Sequence, residues 1–150
     1  MQVLRVKKVV FESLKPSVAE VAAMFDRKKI AFQSIDVVNW EDYSYKPEVK
    51  FRIAHSEEEI YLQYVVKENG VRATFGYDAG SKPYTDSCVE FFIIPSDKDS
   101  IYYNLEMNCI GHGTFAGGPD RKQRIRFGDD VMNQIRRQST LGCEPFGERA

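Results

Sequence analysis

Alternation of apolar with polar or charged side chains constrains the fold of this chain more than any other sequence feature. Residues 49–54 alternate apolar and charged side chains, and the same period continues through residues 60–64 after a turn. Residues 86–95 and 101–110 repeat the pattern. A period of two places successive side chains on opposite faces of a strand. These segments therefore predict half-buried antiparallel strands, the first two forming a hairpin.

The rest of the chain supplies further short elements but no alternation of strands with long helices. A short helix is predicted after Pro16, because residues 18–25 follow the spacing of one buried helix face. A second is predicted at Asp129, where acids favour a helix start. Residues 111–120, with four glycines and a proline, are predicted to form a mobile or tightly turned loop, and residues 121–126 an edge strand. The predicted fold class is all-β, an antiparallel β-sandwich of immunoglobulin or jelly-roll type with one or two short helices.

Length and charge narrow the classes of partner. The 150 residues fit a single domain spanning residues 1–150. The formal net charge is −1, so neither a nucleic acid nor a membrane surface is expected as partner. No apolar run approaches the ~20 residues of a membrane span. Lys7 and Lys8 interrupt the N-terminal segment, which predicts a cytoplasmic protein as written, or a secreted or periplasmic one if a signal has been removed.

Three cysteines, Cys88, Cys109 and Cys143, are odd in number and widely spaced. This spacing is typical neither of a disulfide framework nor of a metal site. Buried free thiols are the expectation, since free cysteine is among the most buried residue types.

The polar faces of the predicted strands offer one candidate surface. Five side chains fall opposite the apolar set of their own strand: Arg52, Gln63, Glu90, Glu106 and Asn108. If these strands pair in one sheet, carboxylates, amides and an arginine form a row that could hydrogen-bond the hydroxyls of a sugar. The same row is also expected of a solvated sheet face, so the pattern alone leaves both interpretations open.

Aromatic residues in irregular segments offer a second candidate surface. Trp40, Tyr77 and Tyr84 have polar or glycine-rich neighbours, and Arg72 and Asp86 lie close to the two tyrosines in sequence. An apolar platform with a few convergent polar groups is what a small-molecule site needs. Trp40 fits a core position equally well.

Signatures of catalysis and of metal binding are absent from the sequence. It contains no G-x-S-x-G, P-loop or H-E-x-x-H motif, and its two histidines, His55 and His112, lie far apart in the sequence. Glu90 and Glu106 could form the carboxylate pair of a glycosidase, although acids on neighbouring strands are common. No catalytic residue, metal or cofactor is therefore predicted.

Three motifs in a fixed order resemble a known family. Residues 51–55 read F-R-I-A-H, residues 86–92 read D-S-C-V-E-F-F, and residues 103–111 read Y-N-L-E-M-N-C-I-G. Across about residues 39–120 this succession is similar to the family 9 carbohydrate-binding modules. The resemblance implies a non-catalytic β-sandwich that binds a saccharide between aromatic residues with polar support.

Matched position by position to the family's motifs, the resemblance implies saccharide-binding roles for Arg72, Glu90, Glu106 and Asn108. It also places Tyr84 where relatives tend to carry tryptophan. Together with the residue-based candidates, the expected saccharide-binding residues are Trp40, Arg72, Tyr77, Tyr84, Asp86, Glu90, Glu106 and Asn108.

One departure from the family pattern and two alternative functions accompany the resemblance. Family members usually continue with further strands beyond the region of residues 140–146, so a domain truncated at its C-terminus is one expectation. An unpaired sheet edge would then favour a homodimer. The first alternative is a protein-interaction or scaffold β-sandwich with a decayed sugar site. The second is a glycoside hydrolase, or a haem-binding relative using Met107, His55 or His112.

Overall fold

The computed structural model describes residues 3–150 and divides into two compact units, one ending at Asn69 and the other running from Gly70 to Ala150. The first unit contains β1 (Lys7–Lys8), α1 (Val18–Arg27), β2 (Gln33–Ile35), β3 (Glu48–His55) and β4 (Ile60–Lys67). The predicted hairpin is present as the antiparallel pair β3–β4, with Phe51 opposite Tyr64. β2 pairs antiparallel with β3, whereas β1 pairs parallel with it.

Helix α1 begins where its sequence provides a capping box. The Ser17 hydroxyl accepts a hydrogen bond from the Glu20 amide at 3.2 Å, and the Glu20 carboxylate accepts one from the Ser17 amide at 2.7 Å. The helix buries Met24 and Phe25 in a core that also contains Val9, Ala54 and Tyr61. The helix predicted after Pro16 is thus confirmed.

Arg52 and Gln63 belong to the first unit's sheet and therefore do not continue a row with Glu90, Glu106 and Asn108, contrary to the single sheet envisaged from the sequence. Arg52 is only 8% exposed. Its guanidinium lies over the Phe25 and Phe32 rings and donates to Gln63 at 2.6 Å and to Asp26 at 2.7 Å. The stacked rings and the paired carboxylate allow this charge to be buried in the core.

The second unit contains two antiparallel sheets. Its elements are β5 (Val71–Ala73), a 3-10 turn (Pro83–Thr85), β6 (Cys88–Ile93), β7 (Tyr102–Asn108), β8 (Gly113–Gly118), β9 (Ile125–Arg126), α2 (Asp129–Met132) and β10 (Phe146–Arg149). Strands β6, β7, β8 and β9 form one sheet in sequence order, and β10 pairs with β5 in the other. Ala73, Ile110 and Phe146 form a small core. Strands predominate and the helices are few and short, which confirms the all-β class.

Residues 111–120 were expected to form a loop, and that prediction is wrong because most of the segment is the strand β8. Its glycines are required by close approach of neighbouring groups. A Cβ on Gly113 would lie 1.8 Å from the Glu106 carbonyl oxygen, and one on Gly117 would lie 2.9 Å from the Tyr103 ring. Within residues 111–120, only Gly111, with a φ of +85°, uses glycine's conformational freedom, in the turn from β7 to β8.

The three cysteines were expected to be buried free thiols, and the structure agrees with this only in part. All three cysteines are free; Cys88 and Cys109 are half-buried, whereas Cys143 is exposed. Burial and the nearby Glu90 carboxylate raise the pKa of Cys88 to about 12. Among residues 3–150, no helix combines the length and the apolar character that crossing a bilayer would require.

Candidate functional site

The polar residues of β7 are more buried than its apolar ones. Asn104, Glu106 and Asn108 are at most 6% exposed, whereas Leu105 and Met107 on the opposite face are only half-buried. The strand register places Glu90 of β6 opposite Glu106, and Thr114 of β8 opposite Glu106 on its other side. We call this surface the polar face; it comprises Glu90, Asn104, Glu106, Asn108, Thr114 and Arg124.

Two side chains satisfy one oxygen of the Glu106 carboxylate. Its Oε1 accepts a hydrogen bond from Asn104 Nδ2 at 2.7 Å and lies 3.5 Å from Arg124 Nη2. Its Oε2 is buried and has no hydrogen-bond partner among the described residues, and the same holds for Asn104 Oδ1 and Ser81 Oγ. A buried acceptor without a donor costs about 1–3 kcal/mol. These three oxygens are enclosed by the protein, so this cost is borne by the folded second unit.

A loop of residues 75–86, here called the covering loop, crosses the polar face. Asn108 Nδ2 donates to the Phe75 carbonyl at 2.9 Å and to Asp86 Oδ2 at 3.0 Å, and Arg126 Nη1 contacts the Ser81 carbonyl at 3.4 Å. The 3-10 turn within the loop lies against β6 and β7. These contacts cover most of the polar face, which periodicity alone would leave in solvent, while Glu90 stays exposed.

The Asp86 side chain lies inside the second unit, where its carboxylate accepts hydrogen bonds from protein groups. Its side chain has no exposed area, and it accepts from the Thr74 amide at 2.9 Å, the Thr74 hydroxyl at 2.7 Å and the Phe75 amide at 3.2 Å. Burial raises the pKa of Asp86, but the bonds from Thr74, Asn108 and Phe75 outweigh it and hold the pKa below the ordinary value. Asp86 thus ties one end of the covering loop to the sheet, as does Asn108.

The exposed groups at this surface are two aromatic rings, one guanidinium and the Glu90 carboxylate. Tyr84, in the 3-10 turn, is 57% exposed, and Tyr77 is 54% exposed with its ring edge-on to Phe75. The Arg72 side chain is 48% exposed, donates to the Thr85 carbonyl beside Tyr84, and lies 3.7 Å from Asp86. The second unit therefore carries every predicted site residue except Trp40.

Trp40 lies in the irregular segment between β2 and β3 of the first unit. It is 72% exposed, so it is not the core anchor that a lone tryptophan often is.

Four residues of this surface were not predicted as site residues from the sequence: Ser81, Asn104, Thr114 and Arg124. Asn104 had a usable signal, because it shares the period-two face of Glu106 and Asn108. Ser81 and Arg124 had none, since only the covering loop and the β8–β9 pairing bring them to this surface. Within residues 3–150, no group of three or more histidine, cysteine, aspartate or glutamate side chains could hold a metal ion.

Glu90 is destabilised in its charged form. Desolvation and the neighbouring Glu106 charge raise its pKa above the ordinary 4.5, partly offset by Arg124 and Asn104. An acid whose pKa is raised by folding destabilises the native state above that pKa and ceases to do so below its unfolded value. We therefore expect Glu90→Gln to increase the melting temperature slightly at pH 7, with the increase vanishing below about pH 4.5.

Thermal unfolding followed by circular dichroism between pH 3.5 and 7 checks this. Glu20→Gln is the control of opposite sign, because the Ser17 backbone and hydroxyl lower the pKa of Glu20. It should lower the melting temperature at pH 7. A Glu90→Gln variant less stable than the unaltered chain at pH 7 would contradict the assignment.

Comparison with known proteins gives two matches. Residues 19–150 match the family described as carbohydrate-binding family 9. A crystal structure of a "putative carbohydrate-binding protein" from Bacteroides uniformis is 46% identical in sequence and superposes with a TM-score of 0.90. The match covers 97% of this chain and 66% of that one, so this chain spans just under two thirds of its length. This likeness confirms the predicted antiparallel β-sandwich class. No curated protein matches the chain.

Proposed function

Because the chain belongs to carbohydrate-binding family 9, we propose that it binds a saccharide, without transforming it, where Tyr84 adjoins the polar face of the second unit. The observation that carries the proposal is the group of exposed side chains beside the polar face, the Tyr84 ring and the Arg72 guanidinium, with the Glu90 carboxylate on β6. Sugar hydroxyls suit these polar groups, since each can donate to one oxygen and accept from another group. A carboxylate acceptor makes the stronger bond of this type.

The exposed groups complete such a site. The Tyr84 ring can pack against the apolar C–H face of a pyranose, while Arg72 and Glu90, both exposed, can bond its outer hydroxyls. Asp86 and Asn108 support the site from behind, because their polar atoms are engaged with Thr74, Phe75 and each other. Tyr77 belongs to the same loop and is a second candidate platform.

The disposition of the two glutamates favours binding over hydrolysis. A glycosidase needs its two carboxyl groups on either side of the scissile bond. Glu90 and Glu106 are direct cross-strand neighbours on one sheet face, so both would approach a ligand from the same side. Glu106 is further held by Asn104 and Arg124. Recognition of hydroxyls is the chemistry that this arrangement supports.

Isothermal titration calorimetry tests the proposal, using glucose, galactose, xylose, cellobiose and xylobiose as probes. We expect saturable binding with a Kd between about 1 μM and 1 mM for at least one of them. Arg72→Ala should weaken it by about tenfold or more, because the exposed guanidinium is the proposed donor to the outer hydroxyls. Tyr84→Ala should weaken it similarly through loss of the platform.

Tyr43→Ala is the matched control, since this tyrosine of the first unit is 74% exposed. It should bind the sugar as tightly as the unaltered chain does. Absence of heat with every sugar, from a folded protein, would refute the saccharide proposal. Cleavage of a disaccharide on long incubation, detected by chromatography, would refute the non-catalytic part.

A further inference from the structure

A second buried carboxylate holds the covering loop at a point away from Asp86. The Asp78 side chain is 9% exposed, and its two oxygens accept from the two terminal nitrogens of Arg137, each at 3.0 Å. The Gly113 amide also donates to Asp78 at 3.0 Å, and His112 Nδ1 lies 3.3 Å away. Burial raises the pKa of Asp78, but Arg137 and Gly113 outweigh it, so the pKa lies below its ordinary value.

Contacts of the backbone hold the segment between Asp78 and Asp86 in place. The Ala79 amide donates to Asp129 at 3.1 Å, the Ser81 carbonyl meets Arg126, and the Thr85 carbonyl accepts from Arg72. Gly80, with a φ of +77°, lies in the turn that reverses the chain direction after Asp78. Residues 78–86 are thus tied down at both ends and at points between, while the Tyr84 ring stays exposed.

We propose that Asp78 and Arg137 are positioning residues that set the affinity of the site by fixing the covering loop over the polar face. The inference rests on the proposed function and deepens it, since neither residue belongs to the proposed ligand-contacting set. Ordering a loop on binding lowers affinity, and a loop already held in its bound conformation avoids that cost. The paired bonds from Arg137 fix direction as well as distance, which a single lysine ammonium does not.

Arg137→Lys tests the inference because it keeps the charge that Asp78 requires but loses the paired geometry. Arg27→Lys, at an exposed position in the last turn of α1, is the matched control. We expect Arg137→Lys to raise the Kd for the tightest-binding sugar of the panel by roughly tenfold, and Arg27→Lys to leave it unchanged. Amide hydrogen exchange should accelerate in residues 79–85 and stay unchanged in β7.

The two readouts separate failure of the inference from failure of the proposed function. If the unaltered chain binds sugar and Arg137→Lys binds it equally tightly with unchanged exchange in the loop, the inference is overturned and the proposed function stands. Faster exchange in β7 as well as the loop would show general destabilisation and also overturn it. If the unaltered chain binds no sugar, the proposed function and the claim on affinity fall together. Exchange confined to the loop would then support only the structural part, that Arg137 holds the loop.

Discussion

Asp86→Ala is expected to lower the free energy of unfolding by about 3–5 kcal/mol. The carboxylate is fully buried and receives hydrogen bonds from two backbone amides, the Thr74 hydroxyl and the Asn108 amide. Alanine removes the acceptor and leaves these donors inside the protein without a partner. Urea denaturation followed by circular dichroism measures the loss.

Asp86→Asn is the matched variant, because it keeps the size and one acceptor oxygen. It should lose less stability than Asp86→Ala, since an oxygen in the Oδ2 position keeps the bonds from the Thr74 amide, the Phe75 amide and Asn108. The new amide then faces only the Thr74 hydroxyl, which can accept a hydrogen bond instead of donating one. The lowered pKa of Asp86 adds a second signature. Its contribution is present above the unfolded value of 3.8 and is lost as pH falls below it, which neither variant should show. An Asp86→Ala chain within ~0.5 kcal/mol of the unaltered one would refute this role.

Gly113→Ala is expected to cost about 3 kcal/mol or more, or to prevent folding of the second unit. Its Cβ would lie 1.8 Å from the Glu106 carbonyl oxygen and 2.9 Å from the Met107 Cα. Both are backbone atoms of the paired strand β7, so the strands must separate to admit the methyl group. That movement would also displace the Glu106 carboxylate, and with it the proposed site.

Gly147→Ala provides the control for Gly113→Ala. Gly147 lies in β10, and a Cβ there would meet no atom within 4 Å. Its effect should stay within ~0.5 kcal/mol. Thermal unfolding of the two variants side by side checks the pair. Equal melting temperatures would show that β7 and β8 tolerate the extra carbon and would refute the steric argument.

The sequence predicted the strands better than it predicted their burial. Period two identified the β3–β4 hairpin and the pair β6–β7, and it placed Glu106 and Asn108 correctly on one face. It failed in residues 111–120, because glycines suggest flexibility when read locally. In the structure Gly113 and Gly117 make room for the Glu106 carbonyl and the Tyr103 ring.

The candidate site was predicted as a set of residues but without their roles. Exposure of Tyr84 and Arg72 agrees with direct contact to a ligand, which stays a prediction. Asp86 was expected to bind a sugar hydroxyl, yet its oxygens accept hydrogen bonds from Thr74, Phe75 and Asn108. Nothing in the sequence around Asp86 distinguishes an exposed carboxylate from a buried one, because the difference depends on Thr74, Phe75 and Asn108.

The sequence by itself determined which side chains share a strand face, because alternation along an extended backbone follows from local geometry. Only the tertiary structure decided which face is covered. Most of the polar face is buried because Asn108 reaches Phe75, 33 residues away, and because Asp78 binds Arg137, 59 residues away. Such contacts depend on how separate segments fold back on one another, so the buried oxygens of Glu106 and Asn104 follow from the covering loop and not from periodicity.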